Sequence, residues 1–333
     1  MRTLIVGIGA LGGTIATRAI SAGKPVWLAT RDAESARALR SSGLRVSGIG
    51  GAASAGSVQV AAIEEYVRGD RFDLILLATK AHDALEIAPF LSTLLASGGA
   101  LLCIQNGGVS QILADRLGQS VVGGLSNLGA TMVEPGVYEQ GNAGHLLIGE
   151  LAGGPSARVS SIAQALNGPG TIETRTTPNL RGAIWSKLLL NCSVTTIGAV
   201  AGQTMRRYIA SSAGKEVFRK IYDEVLSVAL AGGTRPERMI VDPIPPVTGP
   251  GRDYDAWIDQ ILATYGDIKP SMLQDFERRR RTEIDFINGY VAQLGNQLGV
   301  PTPLNAAMTE LVHRIEQGRL QPDPARLDEL LRR

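Results

Sequence analysis

Near the start of the chain, one stretch narrows the possible folds more than any other. An apolar run over residues 4–6 meets Gly7, Gly9 and Gly12 in GxGxxG spacing, an alanine-rich segment of helical period follows, and a second apolar run covers residues 26–29. This order predicts strand, glycine turn, helix, strand. The glycines serve separate physical needs, namely a tight turn, close approach of backbone to a pyrophosphate, and close packing of helix on strand, with the phosphates at the positive helix N-terminus. In a chain with 40 glycines the spacing alone is weak. Its position between a strand and a helix makes Gly7, Ile8, Gly9, Ala10, Leu11 and Gly12 a candidate dinucleotide-binding turn.

The end of the second strand bears on which dinucleotide binds. A free ribose 2′-hydroxyl usually meets a carboxylate there, whereas a 2′-phosphate needs a cation. The chain places Arg31 at this point and Asp32 directly after it. Asp32 suits the hydroxyl, but a guanidinium fork matches phosphate, which favours NADP over NAD. Further on, the continuous apolar run 73–78 ends in Thr79-Lys80, and the run 100–104 ends in Gln105-Asn106-Gly107-Gly108. Such runs suit strands buried on both faces of a parallel sheet. Ligands of open α/β sheets bind beyond the carboxyl ends of the strands, so Lys80 and Asn106 become candidate crevice residues. Turn chemistry alone also accounts for an Asn-Gly-Gly sequence.

Texture changes along the chain. Residues 121–149 read as short strands in a meander, 155–166 as a helix and 171–175 as a last strand. Beyond Pro178 the pattern is helical throughout, over 178–201, 210–231, 254–265, 271–298, 303–317 and 323–331. The expected fold is α/β: a Rossmann-like dinucleotide-binding domain over 1–177, followed by an all-α domain over 178–333. A long, stiff loop rich in proline and glycine, residues 243–251, interrupts the second half. At 333 residues two domains are the natural division.

Composition excludes several classes. With 44% hydrophobic and 19% charged residues and a net charge of +2, the chain offers no large basic field for nucleic acid. Residues 188–205 carry no charge and approach membrane-spanning length, but Asn191, Ser193, Thr195, Thr196 and Gln203 within them favour burial in protein. No signal peptide is expected, since the first apolar residues run straight into the glycine turn. Cys103 and Cys192 lie in apolar runs and are expected as buried free thiols in a reducing cytoplasm. His82, His145 and His313 are dispersed without metal-ligand spacing. The carboxy-terminal helices offer faces through which two copies can pair as a homodimer.

Two polar clusters stand out in the helical half. Lys187, Asn191 and Thr195 recur at four-residue spacing among apolar neighbours, which puts them on one helix face. A lysine so placed either snorkels from a helix end or is a buried ammonium with a purpose. Ser271 reads as the N-cap of the helix 271–298, with Asp275 in its first turn and Glu283 three turns along on about the same side. Arg278, Arg279, Arg280 and Arg281 span all faces of such a helix and read as mainly structural.

Taken in order, GxGxxG, Thr79-Lys80, Gln105-Asn106-Gly107, Trp185-x-Lys187-x-x-x-Asn191-Cys192 and Ser271-Met272-x-x-Asp275 leading to Thr282-Glu283-Ile284-Asp285-x-x-Asn288-Gly289 resemble the ketopantoate reductase family over nearly the whole chain. The resemblance implies an NADPH-dependent reductase converting 2-dehydropantoate to (R)-pantoate. Lys187 would be the general acid and Glu283 its catalytic companion, also near the cofactor. Asn106 would meet nicotinamide and substrate, Lys80 and Arg31 would hold NADPH, and Asn191, Thr195 and Ser271 would face the 2-keto acid. The chain departs from the family pattern at Thr195 and Ile268, where asparagine is usual. Those positions serve the substrate, so reduction of a different 2-oxo acid stays open, as does a non-catalytic NADP(H)-sensing role. For any of the reductase readings, the Lys187 ammonium must face the nucleotide.

Overall fold

The computed structural model describes residues 1–67, 69–245, 247–248, 251–252 and 254–332, without the side chains of 247, 248, 251 and 252. The chain forms two compact units: Met1–Gln105 with Val109–Leu180, and Asn106–Gly108 with Arg181–Arg333. Strands β1 (Thr3–Val6), β2 (Val26–Thr30), β3 (Leu44–Gly48), β4 (Ala53–Ala55), β5 (Gln59–Ala62) and β6 (Phe72–Leu77) are followed by β7 (Leu95–Cys103), β8 (Val121–Ser126), β9 (Ala130–Glu134), β10 (Val137–Gln140), β11 (Leu146–Gly149) and β12 (Thr174–Thr176). All belong to the first unit.

Eight of these strands form one sheet in the order β12-β11-β8-β7-β6-β1-β2-β5. Pairing is parallel from β5 across to β8, and β11 then runs antiparallel to β8. The expected α/β architecture is therefore present. Leu74, Ile75, Leu76 and Leu77 of β6 are each 0% exposed, so the apolar run is covered on both faces, as a central parallel strand must be. Chain order reverses at β1, which pairs with β2 on one side and β6 on the other. The glycine turn and Thr79-Lys80 thus follow the two strands that flank this switch point, where open α/β sheets bind ligands.

One expectation about this unit needs correction. The stretch 121–149 is not one meander: β8 and β11 join the large sheet, while β9 and β10 enter a separate sheet ordered β4-β3-β10-β9. Pairing of β10 with the much earlier β3 leaves no local signal in the sequence. This second sheet is tied to the first helix, Ala10–Ser21. The Arg18 guanidinium, almost wholly buried, donates to Gln140 Oε1 at 2.7 Å and to the carbonyls of Ile49, Gly50 and Gly51 at 3.0 to 3.1 Å.

The second unit packs its helices around a core that includes Leu189, Val217, Ile221, Val225 and Met308. Tyr222 and Trp257 meet edge to face within it, with ring centroids 4.7 Å apart. Leu180–Leu190 is α-helical, Asn191–Thr195 is a π-helical turn, and Thr196–Ala201 returns to α. Within Leu180–Ala201 the most apolar 18-residue window has a mean hydropathy of 1.3 and is 78% buried, which marks a core helix. Within the prolyl loop, Pro246, Gly249 and Pro250 lie outside the described residues, and Val247–Thr248 pairs antiparallel with Gly251–Arg252.

The expected helix 271–298 is broken. Its first piece ends at Glu277, and the second begins only at Asn288, after a 3-10 turn over Ile284–Phe286. The stop is a Schellman closure: Arg279 N–H donates to the Phe276 carbonyl and Arg280 N–H to the Asp275 carbonyl, with Arg279 at φ +51°. Glycine usually marks that left-handed position, and arginine there hides the helix end from a sequence reading. Glu283 therefore does not lie on a helix face shared with Ser271.

Candidate active site

In the first unit the glycine turn has the expected local logic. Gly7 has φ +92°, and a Cβ there would come within 2.7 Å of Thr79. At Gly12 it would come 2.0 Å from the Gly7 carbonyl oxygen, so turn and helix can close only on glycine. Gly9 differs: a Cβ there would meet nothing within 4 Å, so its missing side chain leaves an open cradle against the helix N-terminus. Helix dipole, backbone donors and open space fit a pyrophosphate. When bound, a nicotinamide dinucleotide would supply the hydride.

Arg31 has 82% of its side chain exposed and pairs with Asp83 at 3.1 Å. Asp32 is committed elsewhere: its Oδ1 accepts the Ser35 N–H at 2.7 Å as N-cap of the helix Ala33–Ser42. That backbone hydrogen bond holds the Asp32 carboxyl below the usual range. Lys80, exposed, is the N-cap residue of Ala81–Ser92 at the end of β6. The segment before it is pinned by Gln105, whose Nε2 donates to the Leu77 carbonyl at 2.8 Å and the Thr79 carbonyl at 3.1 Å.

The second unit brings together residues from three distant segments. Asn106 Nδ2 donates to Glu283 Oε2 at 3.2 Å across 177 positions of sequence. This approach explains the glycines after Asn106. Gly107 has φ +75°, and its Cβ would stand 1.9 Å from the Phe286 carbonyl oxygen. Gly108 N–H donates to that same oxygen at 3.0 Å. The Asn-Gly-Gly sequence is thus a docking strip for the Ile284–Phe286 turn, beyond its turn chemistry.

Lys187 belongs to the same group. Burial pushes its pKa down from 10.5 to about 8, and the Glu283 carboxylate acts in the opposite sense. Beyond the exposed Arg181, the helix is buried except at Ile184, Lys187, Asn191 and Thr195, which are partly open and form a continuous stripe. The π-helical turn falls on this stripe, with Thr196 Oγ1 donating to the Asn191 carbonyl at 3.0 Å. Such turns gather at functional sites. Ser271 is exposed and is the first helical residue, not the cap, which is Pro270.

Sequence reasoning missed the residues that hold Glu283. Thr282 N–H donates to Glu316 Oε1 at 2.6 Å, and Asp285 Oδ1 pairs with His313 Nε2 at 2.7 Å, so one helix, Pro303–Glu316, grips both flanks. Arg281 adds a contact to Asp285 Oδ2 at 3.2 Å. Glu224 in turn accepts the N–H groups of Leu304 and Asn305 at 2.9 Å, capping that helix while burial raises its carboxyl pKa. Spacing gave no cue to these pairings, since each joins separate elements.

A parallel sheet reversing at a glycine turn suits a dinucleotide, and an ammonium held near neutrality suits proton delivery to a carbonyl oxygen. Together they describe a dinucleotide-dependent oxidoreductase acting on a CH–OH group. Comparison with known proteins narrows the class. Residues 3–153 match the family model described as ketopantoate reductase PanE/ApbA, and residues 179–316 match its C-terminal companion. The chain belongs to the ketopantoate reductase family. A 2-dehydropantoate 2-reductase of Archaeoglobus fulgidus is 28% identical over 95% of this chain and 98% of its own length. The crystal structure of a PanE/ApbA family ketopantoate reductase from Ralstonia eutropha superposes with TM-score 0.81 at 27% identity, covering 96% of this chain and 99% of the other. D-mandelate dehydrogenase with NADH and anilino(oxo)acetate shares the fold, at TM-score 0.81 and 24% identity over 96% and 99% of the two chains.

Proposed function

We propose that this chain reduces 2-dehydropantoate to (R)-pantoate with NADPH, a step toward pantothenate and coenzyme A. The observation that carries the reading is the convergence of Asn106, Glu283 and Lys187. Reduction places negative charge on the former carbonyl oxygen, so a proton donor and oriented dipoles must reach that atom. The Lys187 ammonium stabilises the charge and then gives its proton to the oxygen. A pKa of about 8 leaves it mostly protonated at neutral pH yet more acidic than an ordinary lysine. Asn106 and Asn191 donate hydrogen bonds without competing for the proton. Glu283 accepts from a substrate hydroxyl, and Ser271 and Thr195 meet the rest of the acid.

The choice of NADPH rests on Arg31, the exposed cation after β2, and on the commitment of the Asp32 carboxylate to Ser35. A second reading keeps the chemistry with another 2-oxo acid, because Thr195 and Ile268 stand where the family usually has asparagine. Following NADPH oxidation with a panel of 2-oxo acids tests both. The first reading predicts the highest kcat/KM with 2-dehydropantoate. Preference for another acid by tenfold or more would favour the second, and no oxidation with any acid would leave the sensor role.

A further inference from the structure

The glycine turn carries one glycine more than its motif requires. Gly13 follows Gly12 inside the first helix, and a Cβ there would lie 2.0 Å from the Tyr138 ring. Tyr138 comes from β10 of the second sheet, is 0% exposed, and donates its hydroxyl hydrogen to the Ile8 carbonyl at 3.1 Å. The bond reaches across 130 positions of sequence to the centre of the turn. Ile8 and Gly9 share one peptide plane, and in a trans peptide the C=O and N–H point in opposite directions. Holding the Ile8 oxygen toward Tyr138 therefore turns the Gly9 N–H the other way. Gly9 is also the turn glycine with open space around it.

We infer that Tyr138 is a positioning residue for the dinucleotide: its hydroxyl locks the Ile8–Gly9 peptide so that the Gly9 N–H is presented to the pyrophosphate. The second sheet then takes part in binding. Arg18, one helix face away, ties Gln140 of the same strand and the loop 49–51 to the first helix, keeping Tyr138 seated. The inference rests on the glycine turn being the dinucleotide site, and the test separates the two claims.

The test titrates NADPH and NADH against the wild type, Tyr138→Phe and Gly9→Ala, with thermal unfolding of each. Phenylalanine keeps the packing against Gly13 and removes only the hydroxyl. Tyr138→Phe should weaken NADPH and NADH by the same factor, about tenfold, because the pyrophosphate is common to both. The cofactor KM should rise accordingly, with much less change in kcat at saturating cofactor. Gly9→Ala, whose Cβ meets nothing in the protein, should fold normally and lose binding of both. If Tyr138→Phe lowers the melting temperature but binds both cofactors as the wild type does, the hydroxyl is only structural and the inference fails. A change in one cofactor alone would also overturn it. If Gly9→Ala binds normally, the glycine turn is not the site and the underlying reading falls with it.

Discussion

The two units handle charge in opposite ways. In the first, the cradle is built from backbone: glycines with no room for a side chain at Gly7 and Gly12, an open one at Gly9, and a helix N-terminus behind them. In the second, the proposed chemistry falls to ionisable side chains in a setting where burial draws Lys187 down to about 8 and Glu283 opposes the shift. A backbone site is written in local spacing and tolerates almost no substitution. A side-chain site depends on partners far away in sequence and can be tuned one group at a time. Substitutions should therefore separate cofactor affinity from turnover.

Lys187→Ala gives the largest expected effect, a loss of ~10²- to 10⁴-fold in kcat with NADPH affinity retained. Loss of cofactor binding in that variant would break the division between the units. The same lysine costs stability. Its pKa is about 8 in the fold against 10.5 for an ordinary lysine, so between those values the unfolded chain binds more protons and stability rises with pH. Below that window the ammonium is charged in both states and its burial penalty is present in full. Lys187→Met should therefore unfold at higher temperature near neutral pH, by an amount equivalent to ~3 kcal/mol at most, since the folded pKa already includes the attraction to Glu283.

Next in size is Glu283→Gln, expected to lower kcat by ~10- to 100-fold and to shift the lysine to a still lower pKa, since its carboxylate is what opposes the effect of burial. Arg31→Ala sharpens the comparison from the other side: NADPH should weaken by ~10-fold and NADH by much less, with kcat at saturation nearly constant. Equal weakening of both would remove Arg31 from the 2′-phosphate. The smallest effect is expected from His313→Ala. Its partner Asp285 keeps the Arg281 contact, and Thr282 keeps Glu316, so turnover should fall only ~3-fold with cofactor affinity unchanged.

The same contrast explains what the sequence disclosed. The first strand, glycine turn and helix follow from residues within a few positions of each other, and the strand 73–78 declared itself by continuous apolarity. Helical spacing put Lys187 and Asn191 on one face, and their roles followed only from the family resemblance. The grip of Glu316 and His313 on the Glu283 segment was not visible, because each contact bridges about thirty positions between separate elements. The break after Glu277 was hidden by Arg279 at a position where glycine would have announced it. Tyr138 left one trace, the extra glycine at 13, which is unexplained until β10 is seen packed against it.

In the proposed mechanism, catalysis turns on one ammonium acting as the acid, its pKa lowered by burial and partly restored by Glu283. The most direct measurement is the pH dependence of kcat for NADPH-driven reduction in the wild type and in Glu283→Gln. The rate should fall as pH rises through about 8, where Lys187 loses its proton, and the falling limb should move to lower pH in the variant. A limb at the same pH in both proteins, or one that persists in Lys187→Ala, would contradict the assignment of Lys187 as the proton donor.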